Sequence, residues 1–108
     1  MPWGQVEKEN WFKSQVIQRS YRGEVVHKIK SLDAGFELKQ YGALSLNPEL
    51  YPLYVLKSKN FAPARKTVLI TGGVHGYETS GVHGALGFLE RAAGRYLDTF
   101  SIVCAPCI

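Results

Sequence analysis

The sequence predicts an α/β fold, with a mixed, mostly parallel sheet flanked by helices. Three observations carry that prediction. Thr67, Val68, Leu69 and Ile70 form a β-favouring apolar run too short for a helix, cut off by Gly72 and Gly73. Apolar residues then recur at helical spacing at Val82, Leu86, Leu89 and Ala93. A further β-rich run follows at residues 100–104. Strand, helix and strand in that order make a βαβ unit, whose two strands should be parallel and neighbours or near-neighbours.

In chain order, residues 7–19 suit a helix with Trp11, Phe12 and Val16 toward one face. Ser20 is a candidate N-cap for a second helix, in which Val25, Ile29 and Leu32 share a side. His27 falls between them and reads as a surface or boundary histidine, since nothing with a matching donor sits one turn away. Asp33, Ala34 and Gly35 end that helix. Residues 36–41, FELKQY, alternate as a half-buried strand should. Residues 42–51 are a loop marked by Asn47-Pro48 and closed by Pro52; residues 53–56 are a second strand; residues 57–66 are another loop, broken by Pro63.

The strand at residues 67–71 is expected to be buried and central. In the helix after it, Thr79 or Ser80 can cap the start and Gly94 can end it. Gly81, Gly84 and Gly87 each lower helix propensity by about 1 kcal/mol relative to alanine. Their recurrence at every third residue predicts close helix-to-strand contact.

A chain of 108 residues suits one domain and no more, and 45% hydrophobic content is ordinary for a globular protein with a modest core. The net charge of +4 is scattered from Lys8 to Arg95, without the dense basic stripe of a nucleic-acid-binding surface. No apolar stretch approaches the span of a bilayer, and the opening MPWGQVEKENWF has acids and no apolar signal core. These readings predict a cytoplasmic protein with neither nucleic acid nor membrane as partner. With no repeat, low-complexity segment or domain boundary, residues 1–108 read as a single domain.

His75 and Glu78 are the sharpest chemical signal. Imidazole nitrogen and carboxylate oxygen are both good zinc ligands, and catalytic zinc sites often combine two histidines with one glutamate. On a turn, a three-residue spacing lets two side chains converge on one ion, and Gly73 and Gly76 permit a tight path with room for a substrate. An exposed polar loop, with Glu78 favoured near a helix N-terminus by the dipole, is the competing account. The position after a strand and a Gly-Gly turn, and before a helix, favours the metal. His83, one residue past Val82, suits support or packing better than a third ligand position. Cys104 and Cys107 have the spacing of a redox pair, but such motifs open a helix after a strand, so a reduced pair at a strand end fits better.

The string VLITGGVHGYETSGVHGALGFLE resembles the first metal-ligand motif of the zinc carboxypeptidase superfamily. Its G-G-x-H-G-x-E form is most similar to the branch with succinylglutamate desuccinylase, aspartoacylase and the murein-peptide amidases. The resemblance spans about residues 20–108 by organisation and is specific over residues 68–89. It implies the N-terminal portion of a larger metallohydrolase domain with a phosphorylase/hydrolase-like fold. It also implies Zn2+ as cofactor, with His75 and Glu78 as the first two ligands. Tyr77 stands where the carboxypeptidase A type has an arginine that touches peptide substrate. The family's third ligand, a histidine, and its catalytic glutamate and carboxylate-binding arginine lie further downstream than these residues reach.

The resemblance therefore implies a zinc-dependent metallopeptidase that hydrolyses a peptide or amide bond, with a small peptide as substrate. Deacylation of small N-acyl amino acids shares the same two ligands and stays open as an alternative. So does a non-catalytic remnant acting as a binding module, which would hold no stoichiometric metal. Redox chemistry at Cys104 and Cys107 would require a depressed thiol pKa. A βαβ start of a larger fold leaves a sheet edge and an apolar helix face open, which calls for a continuation, a partner or a homo-oligomer.

Overall fold

The structure is a computed structural model and describes residues 2–32 and 35–108. Asp33 and Ala34, expected to end the second helix, lie outside the described residues.

The first helix, α1 (Gln5–Ser14), is shorter than the expected 7–19 and buries none of its residues. Glu7 reaches back to accept a hydrogen bond from Gly4 N at 2.9 Å, which fixes its start. At its other end Ser14 Oγ and Gln15 Nε2 both donate to the Trp11 carbonyl, at 2.6 and 3.1 Å, and Gln15 is extended. These side chains take an acceptor that another helical turn would need, so Val16 lies beyond the helix.

The second helix starts where Ser20 predicts, with Ser20 Oγ accepting from Gly23 N at 3.0 Å. Its first part, Arg22–Val26, is a π-helical turn closed by His27 N bonding to Arg22 O. It runs on as α2 (His27–Lys30). Val25 and Ile29 enter the core, Leu32 packs against it, and His27 is exposed.

Strands β1 (Phe36–Ala43) and β2 (Pro52–Ser58) pair antiparallel, with a bulge between Gln40 and Gly42. Gly42 and Ala43, expected in a loop, extend β1. Pro52 opens β2 rather than closing the loop, a place where its missing N–H is tolerated. The expected βαβ unit is formed by β3 (Lys66–Thr71), α3 (Thr79–Arg91) and β4 (Phe100–Ala105). β3 and β4 are parallel neighbours, from Lys66 opposite Phe100 to Thr71 opposite Ala105. β2 meets β4 antiparallel through Leu56 opposite Cys104 and Lys57 opposite Val103. Beyond that short ladder, Ser58 Oγ accepts from Ile102 N at 3.0 Å.

The sheet order is β1-β2-β4-β3, a mixed sheet in which one pairing, β3 with β4, is parallel and two are antiparallel. The expectation of a mostly parallel sheet is corrected to that extent. So is the place of β3, which is an edge strand here, with Val68 38% and Leu69 66% exposed. An apolar run reads alike in the sequence whether one or both of its sides are paired; pairing order alone decides burial.

The core sits between the sheet and the helices. Val82, Ala85, Leu86 and Leu89 of α3 pack with Ile29, Phe36, Leu56, Ile102 and Cys104. The predicted stripe on α3 is thus the buried one. Ala93 is also buried but belongs to a short 3-10 turn, Ala93–Arg95, so α3 ends at Arg91 and Gly94 does not terminate it. Behind the sheet, Ala62 N and Ala62 O both bond to Ser101 Oγ at 3.0 Å, and Ser101 is fully buried.

Candidate functional site

The candidate site begins where β3 stops. Gly72 N donates to Ala105 O and Ile108 N donates to Gly72 O, both at 3.1 Å, so the segment after β4 continues alongside the Gly-Gly turn. Gly72 is buried. A Cβ there would stand 2.7 Å from Gly81 O and 2.9 Å from Pro106 O. Gly73 has φ +72°, in the left-handed region that favours glycine, and a Cβ on it would meet Cys107 and Val82 at 3.0 Å. Both glycines are required by the path between α3 and the end of β4. Of the α3 glycines, Gly81 alone makes the expected close approach, since a Cβ on Gly84 or Gly87 would meet open space.

Past the glycines the chain makes a tight turn. Glu78 N donates to His75 O at 3.3 Å, so His75 and Glu78 are the first and last residues of one four-residue turn. Such a turn brings its end Cα atoms within about 7 Å. Both side chains are exposed, as are Gly76 and Tyr77 between them. Glu78 is itself the N-cap residue of α3, with φ −93° and ψ 73°, and no side chain caps that helix. Thr79 and Ser80, the expected caps, lie inside the first turn instead. Among the described residues no three histidine, cysteine, aspartate or glutamate side chains gather around one point. The donor set at the turn is therefore one imidazole and one carboxylate, chemically suited to zinc and one short of a three-ligand catalytic set.

A cluster that the sequence analysis did not single out lies beside the turn. Arg19 Nε donates to both Glu24 carboxylate oxygens at 3.1 and 3.0 Å, and Arg19 Nη2 donates to Oε1 at 2.8 Å. Arg19 Nη1 donates to Thr79 Oγ1 at 2.8 Å, and Nη2 lies 3.4 Å from His83 Nε2. A guanidinium only donates, so His83 Nε2 is the acceptor at that contact. The Arg19 hydrogen bond and charge hold Glu24 below the usual carboxylate range, and Glu24 raises Arg19 in turn. His83 thus stands in the supporting role that its position suggested. Nothing in the sequence pairs Arg19 with residues 60 or more positions away.

A cavity of about 410 Å3 opens between this cluster and the turn, lined in part by Ile17, Arg19, Tyr21, Tyr77 and His83. A larger recess of about 630 Å3, by Arg22, Lys30, Gln40 and Glu49, touches neither His75 nor Glu78. Its size gives it no claim to the chemistry. Cys104 and Cys107 are free thiols. Burial pushes Cys104 up to about 11 and raises Cys107 as well. That is the reverse of what a redox pair requires. Cys107 packs instead against Gly73, so its place is beneath the turn.

No protein-family profile and no curated protein matches the sequence. Solved structures do. A candidate metallopeptidase from Shewanella amazonensis SB2B matches with a TM-score of 0.63 at 24% identity, covering 81% of this chain and 30% of that one. A second, from Shewanella baltica OS155, gives 0.61 at 21%, again over 81% and 30%. Bovine thrombin-activatable fibrinolysis inhibitor, solved in complex with a tick carboxypeptidase inhibitor, gives 0.57 at 21% identity, over 80% and 28%. This chain has part of a carboxypeptidase fold. It spans 30% or less of the length of each of these neighbours. The carboxypeptidase fold agrees with the α/β class and the resemblance read from residues 68–89, and the neighbours support a general metallopeptidase reading.

Proposed function

We propose that this chain supplies His75 and Glu78 as two zinc ligands to a metallohydrolase that cleaves a peptide or amide bond. One observation carries the reading. In a carboxypeptidase fold, the strand β3 ends in a Gly-Gly turn that hands directly to a second turn with an imidazole at one end and a carboxylate at the other. Bound there, zinc would supply Lewis-acid polarisation of a scissile carbonyl and an activated water.

What this chain's residues do in that scheme follows from their placement. Gly72 and Gly73 let the backbone pass between α3 and the end of β4. His75 and Glu78 offer two unlike donors from one rigid turn. Their exposure keeps both accessible to an ion without dismantling the core. The adjoining cavity leaves space for a small substrate group next to the turn, which suits a small peptide and an N-acyl amino acid alike. A third ligand and a general base have no candidate at the turn among the described residues, and the proposal assigns them to sequence beyond this chain.

Equilibrium dialysis against zinc tests the ligands, and hydrolysis of free-C-terminal peptides and N-acyl amino acids by a chain of the neighbours' length tests the reaction. Zinc bound through this turn is lost in His75→Ala and in Glu78→Ala. If His75→Ala keeps full zinc and full turnover, the assignment fails. Zinc-free protein at millimolar zinc would favour the non-catalytic binding module instead.

A further inference from the structure

We propose that Arg19 is a positioning residue for the turn that carries His75 and Glu78, tying the start of α3 to the second helix and so setting where Glu78 stands. The purpose of this tie rests on the metal reading above; its geometry does not.

Arg19 is braced on one side and reaches out on the other. Its fork grips Glu24, which lies on the π-helical turn whose next residues, Val25 and Val26, are buried. Its remaining nitrogen, Nη1, donates to Thr79 Oγ1 at 2.8 Å, and Thr79 follows Glu78 directly as the first residue of α3. His83, one turn further along α3, meets the same guanidinium at 3.4 Å. Two residues on one helix face thus converge on one cation held in place from another element.

The start of α3 needs outside support. No side chain caps it, and Gly81 and Gly84 weaken its first turns. An uncapped, glycine-bearing helix end is where local opening begins. Any looseness there is passed to Glu78, the residue at the cap. Among the described residues, Arg19 makes the only side-chain hydrogen bonds to α3. An exposed ion pair such as Arg19 with Glu24 contributes little to global stability. Its effect is expected in the local order of the turn.

Hydrogen exchange read residue by residue tests the tie without metal. The Glu78 amide, bonded to His75 O, and the Gly81 amide, bonded to Glu78 O, report on the turn. Arg19→Ala and Thr79→Val should each speed both by about tenfold, with β3–β4 amides unchanged. The double variant should be no faster than either single one. Thr79→Ser, which keeps the hydroxyl, should match the starting protein. Where zinc binds the turn, Arg19→Ala should weaken it about 10–100-fold, the usual effect of losing a residue that orients a ligand.

Unchanged exchange in Arg19→Ala, or additive effects in the double variant, overturns the proposal. So does an unaltered zinc affinity in a protein whose zinc depends on His75. Faster exchange in a protein that binds no zinc through His75 supports the tie and overturns the metal reading alone.

Discussion

Gly72 lies against Gly81 so closely that a Cβ on Gly72 would stand 2.7 Å from the Gly81 carbonyl oxygen. Backbone cannot move aside as a side chain can. Gly72→Ala should therefore lower stability by roughly 1–3 kcal/mol, as overpacking does. Gly73→Ala carries a further left-handed strain of about 1–2 kcal/mol. Gly84→Ala is the contrast, because a Cβ there meets nothing within 4 Å. It should raise stability by about 0.5–1 kcal/mol. Urea midpoints of the three variants check the series, and a Gly72→Ala midpoint equal to the starting protein would mean that the close approach does not exist.

That contrast marks how far the sequence could be read. The periods of Val82, Leu86 and Leu89 and of residues 100–104 sufficed for the βαβ unit, and Gly72-Gly73 for the turn, because each is a local pattern. Gly81, Gly84 and Gly87 look alike in the sequence, yet only Gly81 faces backbone; the difference is tertiary. The edge position of β3 was unreadable for the same reason, since strand order is a long-range fact. The end of α1 turned on Ser14 and Gln15 competing for one carbonyl, a detail finer than an apolar period. At the site, His75 and Glu78 share one turn and are local. Arg19 bonds across 60 positions to Thr79, and no spacing rule reaches that far.

His75 and Glu78 are exposed and belong to no core cluster, so ligand and fold should separate cleanly. His75→Ala and Glu78→Gln should change stability by within about 0.5 kcal/mol, as surface substitutions do. Zinc at a hundredfold excess over its Kd should add about 2.7 kcal/mol to the starting protein and nothing to His75→Ala. Urea unfolding with and without zinc checks both halves. Removing zinc with a chelator should return the starting protein to its metal-free midpoint without loss of helix signal.

Cys104 is fully buried and its thiol titrates at about 11, against an ordinary value of 9.0. The folded state thus holds its proton more tightly than the unfolded chain does. Stability is fully present below pH about 9 and falls as pH rises toward 11, by on the order of 2 to 3 kcal/mol from this group. Tyr21, whose hydroxyl donates to Pro52 O at 2.7 Å, is pushed by burial to about 12 and extends the decline upward. Urea midpoints between pH 8 and 11 should fall, and Cys104→Ala should flatten the lower part of that fall. An alkylating reagent at pH 8 should modify the partly exposed Cys107 before Cys104.

Leu69 is two-thirds exposed on β3, opposite Val103 of β4 and on the strand that ends the sheet. An edge with apolar side chains and open backbone groups is a template for pairing with another strand. The chain should therefore self-associate as its concentration rises, and Leu69→Lys should suppress this, because a lysine at an edge must be desolvated before another strand can dock. Little packing is lost at so exposed a position, so the urea midpoint should hold within about 0.5 kcal/mol. Ile70→Lys is the control for orientation. Ile70 packs against the core, and an ammonium there should unfold the sheet rather than solubilise it. Sedimentation velocity across a concentration series separates the two, and equal self-association by Leu69→Lys and the starting protein would place the sticky surface somewhere other than β3.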